Sequence, residues 1–246
     1  HFLNDLSIAE RIANLVDGGM EHVVEIGPGM GVMTKYLFER FGGKLMCAEI
    51  DTESIEYLAN QAWASGLKVW KGDFLQAPAE DWVAIGKRMA IVGNYPYNIS
   101  TQIVFKMLEC GVRVDQFSGM FQKEVAERIA AKPNSKAYGI LSVLAQAFYE
   151  VTYLFDVPPE SFTPPPKVMS GVIQMKRKTS FPTMLSEKSF YHIVKMAFGQ
   201  RRKMLRNPLK PYFTTAQLED PIFTKRAENL TYEDYAALTF KMHNEK

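Results

Sequence analysis

The 246-residue sequence has only two cysteines, Cys47 and Cys110. Two are too few for a disulfide framework, and their spacing suits no metal site. Both are therefore expected to be small buried hydrophobes in a reducing cytoplasm, with no metal bound. No uninterrupted apolar stretch reaches the ~18 residues of a membrane helix, and no basic-then-apolar leader opens the chain. Neither a membrane span nor a signal peptide is expected. The sequence starts at His1 rather than Met, so a stretch of the natural protein is expected to precede it. It also has no internal repeat, no low-complexity segment and no large charge excess: 29 Lys and Arg face 27 Asp and Glu.

Hydrophobic residues make up 47% of the chain and charged residues 23%, enough apolar surface for a core. The length suits one large domain and one small one. The near-neutral charge hides an uneven layout. Residues 1–175 carry a net of −5, residues 176–210 a net of +9 and residues 211–246 a net of −2. In the middle block ten Lys and Arg accompany a single acid, Glu187. Such a block is expected on a surface that faces a polyanion.

Ser7 followed by Glu10 reads as a capping box opening a first helix. His22–Ile26 is a short apolar run ending in glycines, the mark of a buried strand entering a ligand loop. Helical and strand signals then alternate. Helices are expected over 34–41, 52–64, 99–110, 123–131 and 138–149, and strands over 44–49, 67–70, 89–93, 117–121, 151–157 and 168–175. This alternation predicts an open α/β sheet, mostly parallel, with an antiparallel hairpin at its edge. Beyond residue 180 the strand signals stop and helical spacing takes over. The expected layout is a catalytic domain over 1–179 and a small all-helical domain over 180–246.

Glu25-Ile26-Gly27-Pro28-Gly29-Met30-Gly31 follows the first buried strand. The dinucleotide fingerprint needs its third glycine five residues after the first, where Val32 stands; Gly31 comes one position early. The spacing E-x-G-x-G-x-G instead resembles the first motif of class I methyltransferases, whose cofactor S-adenosylmethionine has no pyrophosphate. On this motif alone a generic nucleotide loop remains open. Glu49 ends the next strand, where a carboxylate can accept the ribose hydroxyls, and Asp73 ends the third, placed to accept from an adenine amino group. Phe74 would cover the adenine ring. Each acid alone could be a solvated surface charge, but their placement at consecutive strand ends favours a shared ligand.

Asn94-Tyr95-Pro96-Tyr97 follows the fourth strand. An adenine amine is a poor nucleophile because its lone pair is delocalised into the ring. Accepting both of its N–H bonds lets the nitrogen pyramidalise and aim that pair at a methyl group. The Asn94 side-chain oxygen and the Tyr95 carbonyl are the expected acceptors. Pro96 would stiffen the turn, and Tyr97 would stack on a base drawn out of its helix. The transfer is an in-line displacement governed by positioning.

At this point the sequence resembles the KsgA ribosomal RNA adenine dimethyltransferases. The likeness is carried by His1–Asp5, Glu25–Gly31, Asn94–Ser100, Gln122–Val125, Tyr138–Val143, Phe162–Val168 and Gln200–Asn207. It implies a Rossmann-like class I methyltransferase that dimethylates two adjacent adenines near the 3′ end of small-subunit (16S) ribosomal RNA. It also implies contacts to S-adenosylmethionine from His1, Leu3, Gly27, Glu49, Asp73 and Asn94, with Gly29 and Gly31 completing the loop. Phe162 matches the position that faces Tyr97 across the flipped base. The implied substrate is the RNA within a pre-30S particle, met by a monomer. Two departures stand out: Tyr95 replaces a small aliphatic residue, and the Gln common before His1 is absent with the basic arm.

Arg201, Arg202, Lys203 and Arg206 are expected to extend the helix that carries Phe190 to Phe198 and to contact RNA phosphates. Three other readings remain. One is a large-subunit enzyme of the erythromycin-resistance type, and the second is a ribosome-assembly factor whose catalysis is secondary. The third, a dinucleotide dehydrogenase, is disfavoured by Val32.

Overall fold

A computed structural model describes residues 2–109 and 114–243. The expected contact from His1 and the expected burial of Cys110 lie outside the described residues. The chain divides into two compact units, residues 1–126 with 151–177 and residues 127–150 with 178–246.

The first unit opens with a short strand β1 (Phe2–Leu3) and helix α1 (Leu6–Ala13). Asp5 caps α1, accepting the amides of Ser7 and Ile8, so the expected Ser7–Glu10 box is replaced by an acid two residues earlier. There follow β2 (His22–Ile26), α2 (Thr34–Phe41), β3 (Leu45–Glu49), α3 (Thr52–Ala59) and β4 (Lys68–Lys71). The chain then crosses back to β5 (Met89–Asn94), α4 (Ser100–Glu109), β6 (Gln116–Gln122) and α5 (Lys123–Ala130). After helix α6 (Ile140–Phe148) come β7 (Tyr149–Val157), β8 (Phe162–Thr163) and β9 (Ser170–Arg177).

Seven strands form one sheet in the order β4-β3-β2-β5-β6-β9-β7. From β4 to β6 the pairing is parallel, and β9 runs antiparallel to β6. Val23 and Val24 of β2 and Ala90 to Val92 of β5 are fully buried, as central strands covered on both faces must be. The chain leaves β2 first towards β3 and later returns to β5 on its other side. That reversal opens a crevice at the carboxyl ends of β2, β3 and β5, where open α/β sheets bind ligands. A separate two-stranded ribbon pairs β1 with β8, setting Leu3 opposite Phe162.

The second unit contains α6, α7 (Glu187–Gly199) and α8 (Tyr232–Thr239). Its membership differs from a cut at residue 179, because 127–150 groups with the C-terminal part. The physical cause is α6 itself. Every residue from Leu141 to Phe148 is buried, so the helix needs partners on all sides. Within the unit α7 packs on it, with Phe148 edge-on to Phe190 at 6.1 Å, and α7 in turn meets α8 through Phe198 and Tyr235 at 6.2 Å. Around Pro208, Pro211 and Pro221 the backbone forms short 3-10 turns rather than long helices. Among the described residues no helix is long and apolar enough to cross a membrane.

Candidate active site

At the end of β2 the chain turns through Gly27 and Gly31, with φ of 66° and 79°. Side chains rarely adopt this left-handed region, so glycine is needed on backbone grounds alone. At Gly31 space adds to the demand, since a Cβ would lie 2.7 Å from Leu58. The loop is tied to the next strand end. Glu49, only 7% exposed, accepts the Gly29 amide on Oε2 (3.1 Å) and the Ile50 and Asp51 amides on Oε1 (both 2.9 Å). Asp51 caps α3 through Ser54, whose hydroxyl and amide hold the Asp51 carboxyl below its ordinary range.

These ends surround a cavity of about 570 Å³. Of the residues singled out from sequence, Leu3, Gly27, Gly29, Glu49, Asn94, Tyr95, Pro96, Tyr97 and Phe162 line it together. Gly31, Asp73 and Phe74 are not among its lining residues. Gly31 packs behind the loop against Leu58 and Trp63. Asp73 is half-buried and accepts the Leu75 amide at 2.9 Å. Phe74, expected to cover a ligand ring, is buried with its ring 4.7 Å from that of Trp82.

Nine lining residues were not read as ligand groups from sequence, among them Phe2, Asp51 and Glu25. Glu25 is 1% exposed, one residue before the end of β2. Burial pushes its carboxyl up to about 7, and the nearby Glu49 charge adds to the rise. The Thr34 hydroxyl and the Cys47 thiol (3.6 Å) oppose it only in part. Cys47 is buried as expected, and burial pushes its thiol well above the ordinary value. The signal that could have found Asp51 is its place as a helix cap, an Asp just before α3 with Ser54 three residues on. Nothing in the local sequence separated Glu25 from any other first acid of a glycine loop.

The 94–97 turn is fixed from behind. Tyr95 is 1% exposed, its ring stacked on Phe117 at 5.0 Å and its hydroxyl donating to the Ser118 carbonyl at 2.8 Å. Its backbone amide donates to Met120 of β6 at 3.1 Å. The ring fits because positions 93 and 119 are glycine. A Cβ would lie 2.7 Å from the Tyr95 ring at the first position and 2.4 Å from it at the second. The large side chain is therefore directed into the sheet, leaving the backbone to face the cavity. Tyr97 is half-buried, and its hydroxyl bonds the fully buried Ser170 hydroxyl at 2.5 Å.

In the second unit the basic residues do not continue a helix. α7 ends at Gly199, and Gln200 leaves helical geometry with φ −126° and ψ 50°. Residues 201–207 form turns, with Leu205 donating to the Lys225 carbonyl (2.8 Å) and Arg206 to that of Phe223 (3.0 Å). Arg202, Lys203 and Arg206 are exposed, whereas Arg201 is bonded to backbone carbonyls.

Comparison with known proteins agrees with this arrangement. The family described as ribosomal RNA adenine dimethylase matches residues 1–245. A protein of Flavobacterium johnsoniae named ribosomal RNA small subunit methyltransferase A is 52% identical, over 98% of this chain and 93% of its own. One of the same name from Cytophaga hutchinsonii is 48% identical, over 97% and 93%. Among solved structures, a dimethyladenosine transferase from Plasmodium falciparum has a TM-score of 0.77 at 26% identity, covering 96% of this chain and 94% of that one. The 23S rRNA methyltransferase ErmE shares the fold at a TM-score of 0.71 and 22% identity, covering 98% and 99%. Matched over almost its whole length and sharing about half of its residues with such relatives, the chain belongs to the ribosomal RNA adenine dimethylase family.

Proposed function

We propose that this chain dimethylates N6 of two adjacent adenines near the 3′ end of small-subunit ribosomal RNA, with S-adenosylmethionine as donor. The observation that carries the reading is the charge of the cavity. Glu25, Glu49 and Asp51 line it, and no Lys, Arg or His does so among the described residues. A dinucleotide would bring its pyrophosphate against the carboxylates of Glu49 and Asp51 and the buried carboxyl of Glu25, with no counter-charge among the described residues. A phosphate-free cofactor bearing a sulfonium and an ammonium meets the complementary sign. The volume is in the range of a pre-formed cofactor site.

When bound, the cofactor supplies an electrophilic methyl group. The chain's own residues bind and orient. Gly27 and Gly29 present bare backbone to the ligand, and Glu49 has acceptor sites beyond those used by the Ile50, Asp51 and Gly29 amides. Asp73 commits Oδ1 to the Leu75 amide and can accept an adenine amino group elsewhere on its carboxylate. The Asn94 oxygen and the Tyr95 carbonyl accept the two N–H bonds of the target amine and turn its lone pair towards the donor. Tyr97 and Phe162, both on the cavity wall, hold the extruded base between them. Arg202, Lys203 and Arg206 contact phosphates. The enzyme acts as a cytoplasmic monomer on a precursor of the small subunit; the names of its relatives support the small-subunit RNA as substrate.

The test is to incubate the protein with methyl-labelled cofactor and, separately, unmethylated small and large ribosomal subunits. Label in N6,N6-dimethyladenine of the small subunit is expected. Label in the large subunit would favour the erythromycin-resistance type. Binding to small subunits without any label would favour an assembly role alone.

A further inference from the structure

Three stretches of the second unit are clasped together, and each brings cations. Arg201 donates Nη2 to the carbonyls of Lys136 (2.9 Å) and Ser135 (3.3 Å) and pairs through Nε with Glu228 (3.6 Å). In the same loop Asn134, held at a left-handed φ of 68°, donates its amide to the Glu228 carbonyl (2.8 Å). Its side-chain oxygen accepts from Asn229 at 2.9 Å. From the other side, Met204 bridges to Arg226 and Leu205 donates to the Lys225 carbonyl. Lys132, Lys136, Arg202, Lys203, Arg206, Lys225 and Arg226 are all exposed. Over 131–137, 200–207 and 223–229 the sequence has one acid, Glu228, and Arg201 already pairs with it.

We propose that Lys132 and Lys136 add a strip of phosphate-contacting surface to the one formed by Arg202, Lys203 and Arg206. In this arrangement Arg201 is the positioning residue that holds the strip in place, not itself a phosphate contact. The proposal rests on the reading of the chain as a ribosomal RNA methyltransferase. The occupant is the phosphate backbone of folded RNA, argued from charge. Exposed cations drawn from separate stretches, with their one acid neutralised, match a polyanion that is followed by position rather than read by sequence. The planar guanidinium explains why position 201 is arginine. Its fork spans two adjacent carbonyls and a carboxylate, which a lysine ammonium cannot do with fixed geometry.

The test uses the full chain and a fluorescently labelled transcript of small-subunit ribosomal RNA, with the dissociation constant measured against salt. Each phosphate contact contributes about 0.7 to 0.9 to the logarithmic slope. Lys132→Ala/Lys136→Ala should therefore flatten the slope by about 1.4 to 1.8, as Arg202→Ala/Lys203→Ala should. Arg201→Lys, although charge-conserving, should flatten it as the lysine pair does. Adding Arg201→Lys to that pair should change nothing more, because its effect passes through those side chains. If the lysine pair is silent while Arg202→Ala/Lys203→Ala weakens binding, the proposal fails and the RNA reading stands. If both pairs are silent, the RNA-facing surface lies elsewhere and both fail. An unchanged slope for Arg201→Lys overturns its positioning role. Loss on whole subunits but not on the naked transcript would assign the loop to a ribosomal protein and overturn the choice of occupant.

Discussion

Glu25 stores a measurable cost of folding. Its carboxyl is buried in the second strand of the fold, with an ordinary value of 4.5 raised to about 7, and burial is the main cause. In the unfolded chain the group ionises near its ordinary value. Between pH 4.5 and pH 7 the unfolded state has therefore released a proton that the folded state still holds. By linkage, folding stability falls as pH rises through that window, is unaffected below it and reaches its full loss above it. A shift of this size corresponds to about 3 kcal/mol at most, from 1.36 kcal/mol per pH unit.

Glu25→Gln removes the titration while keeping size and shape. Urea unfolding of wild type and variant should be run from pH 4 to pH 8.5, and the difference in stability plotted. The difference cancels every other titrating group, including Asp5, Asp17, Asp51 and Asp156, whose hydrogen bonds hold them below their ordinary values. The variant should gain on wild type across pH 4.5 to 7, by up to about 3 kcal/mol, and then run level with it. A flat difference would mean that water or a counter-ion reaches the carboxylate. A gain by wild type with rising pH would show that the group is stabilised as an anion, and would refute the burial argument outright. The same burial gives the cofactor reading a physical consequence: a bound cation facing Glu25 favours its ionised form, so binding below pH 7 should release a proton.

Three substitutions test the cavity wall. Asn94→Ala should abolish methyl transfer while leaving RNA affinity largely intact, and equal turnover by variant and wild type in the labelled-cofactor assay would sink the proposed acceptor role. Tyr95→Phe keeps the ring between Gly93 and Gly119 but loses the hydroxyl bond to Ser118, at a cost of about 1 kcal/mol in chemical denaturation. Ser170→Ala leaves Tyr97 without its buried hydroxyl partner. Turnover per RNA should fall roughly two- to tenfold with cofactor affinity unchanged, and Ser170→Thr should restore it. Equal losses in cofactor binding and turnover would show damage to the whole cavity rather than to base stacking.

Much of the fold was legible because buried parallel strands leave continuous apolar runs. Val23, Val24 and Ile26, interrupted only by Glu25, and Ala90 to Val92 could be read without a partner in view. The helix through 201–206 was misread for an equally physical reason. Leu205 sits at helical spacing from Phe198 and is fully buried, but it is buried by a turn anchored on Lys225. Hydrogen bonds between segments twenty residues apart leave no trace in periodicity. The same blindness made Arg201 look like its neighbours. Its carbonyl partners at Ser135 and Lys136 are invisible until the chain is folded.

Tyr95 shows how a departure from a family pattern can be settled by its surroundings. At a position where the family resemblance implies a small aliphatic residue, a tyrosine could have crowded the cavity and displaced the backbone carbonyl proposed to accept the target amine. It does neither, because the space it needs is supplied by glycines two residues before it and on the neighbouring strand. At Gly93 a Cβ would also lie 2.9 Å from the Ile26 carbonyl, and at Gly119 2.2 Å from the Gly93 carbonyl, so backbone packing as well as the ring demands glycine at both places. With the ring stacked on Phe117 and its hydroxyl on Ser118, the bulk of the residue serves as an anchor for the Asn94–Tyr95 backbone. Two glycines flanking an aromatic on neighbouring strands were present in the sequence as a signal. They became readable only once the β5–β6 register placed Gly93 beside Gly119.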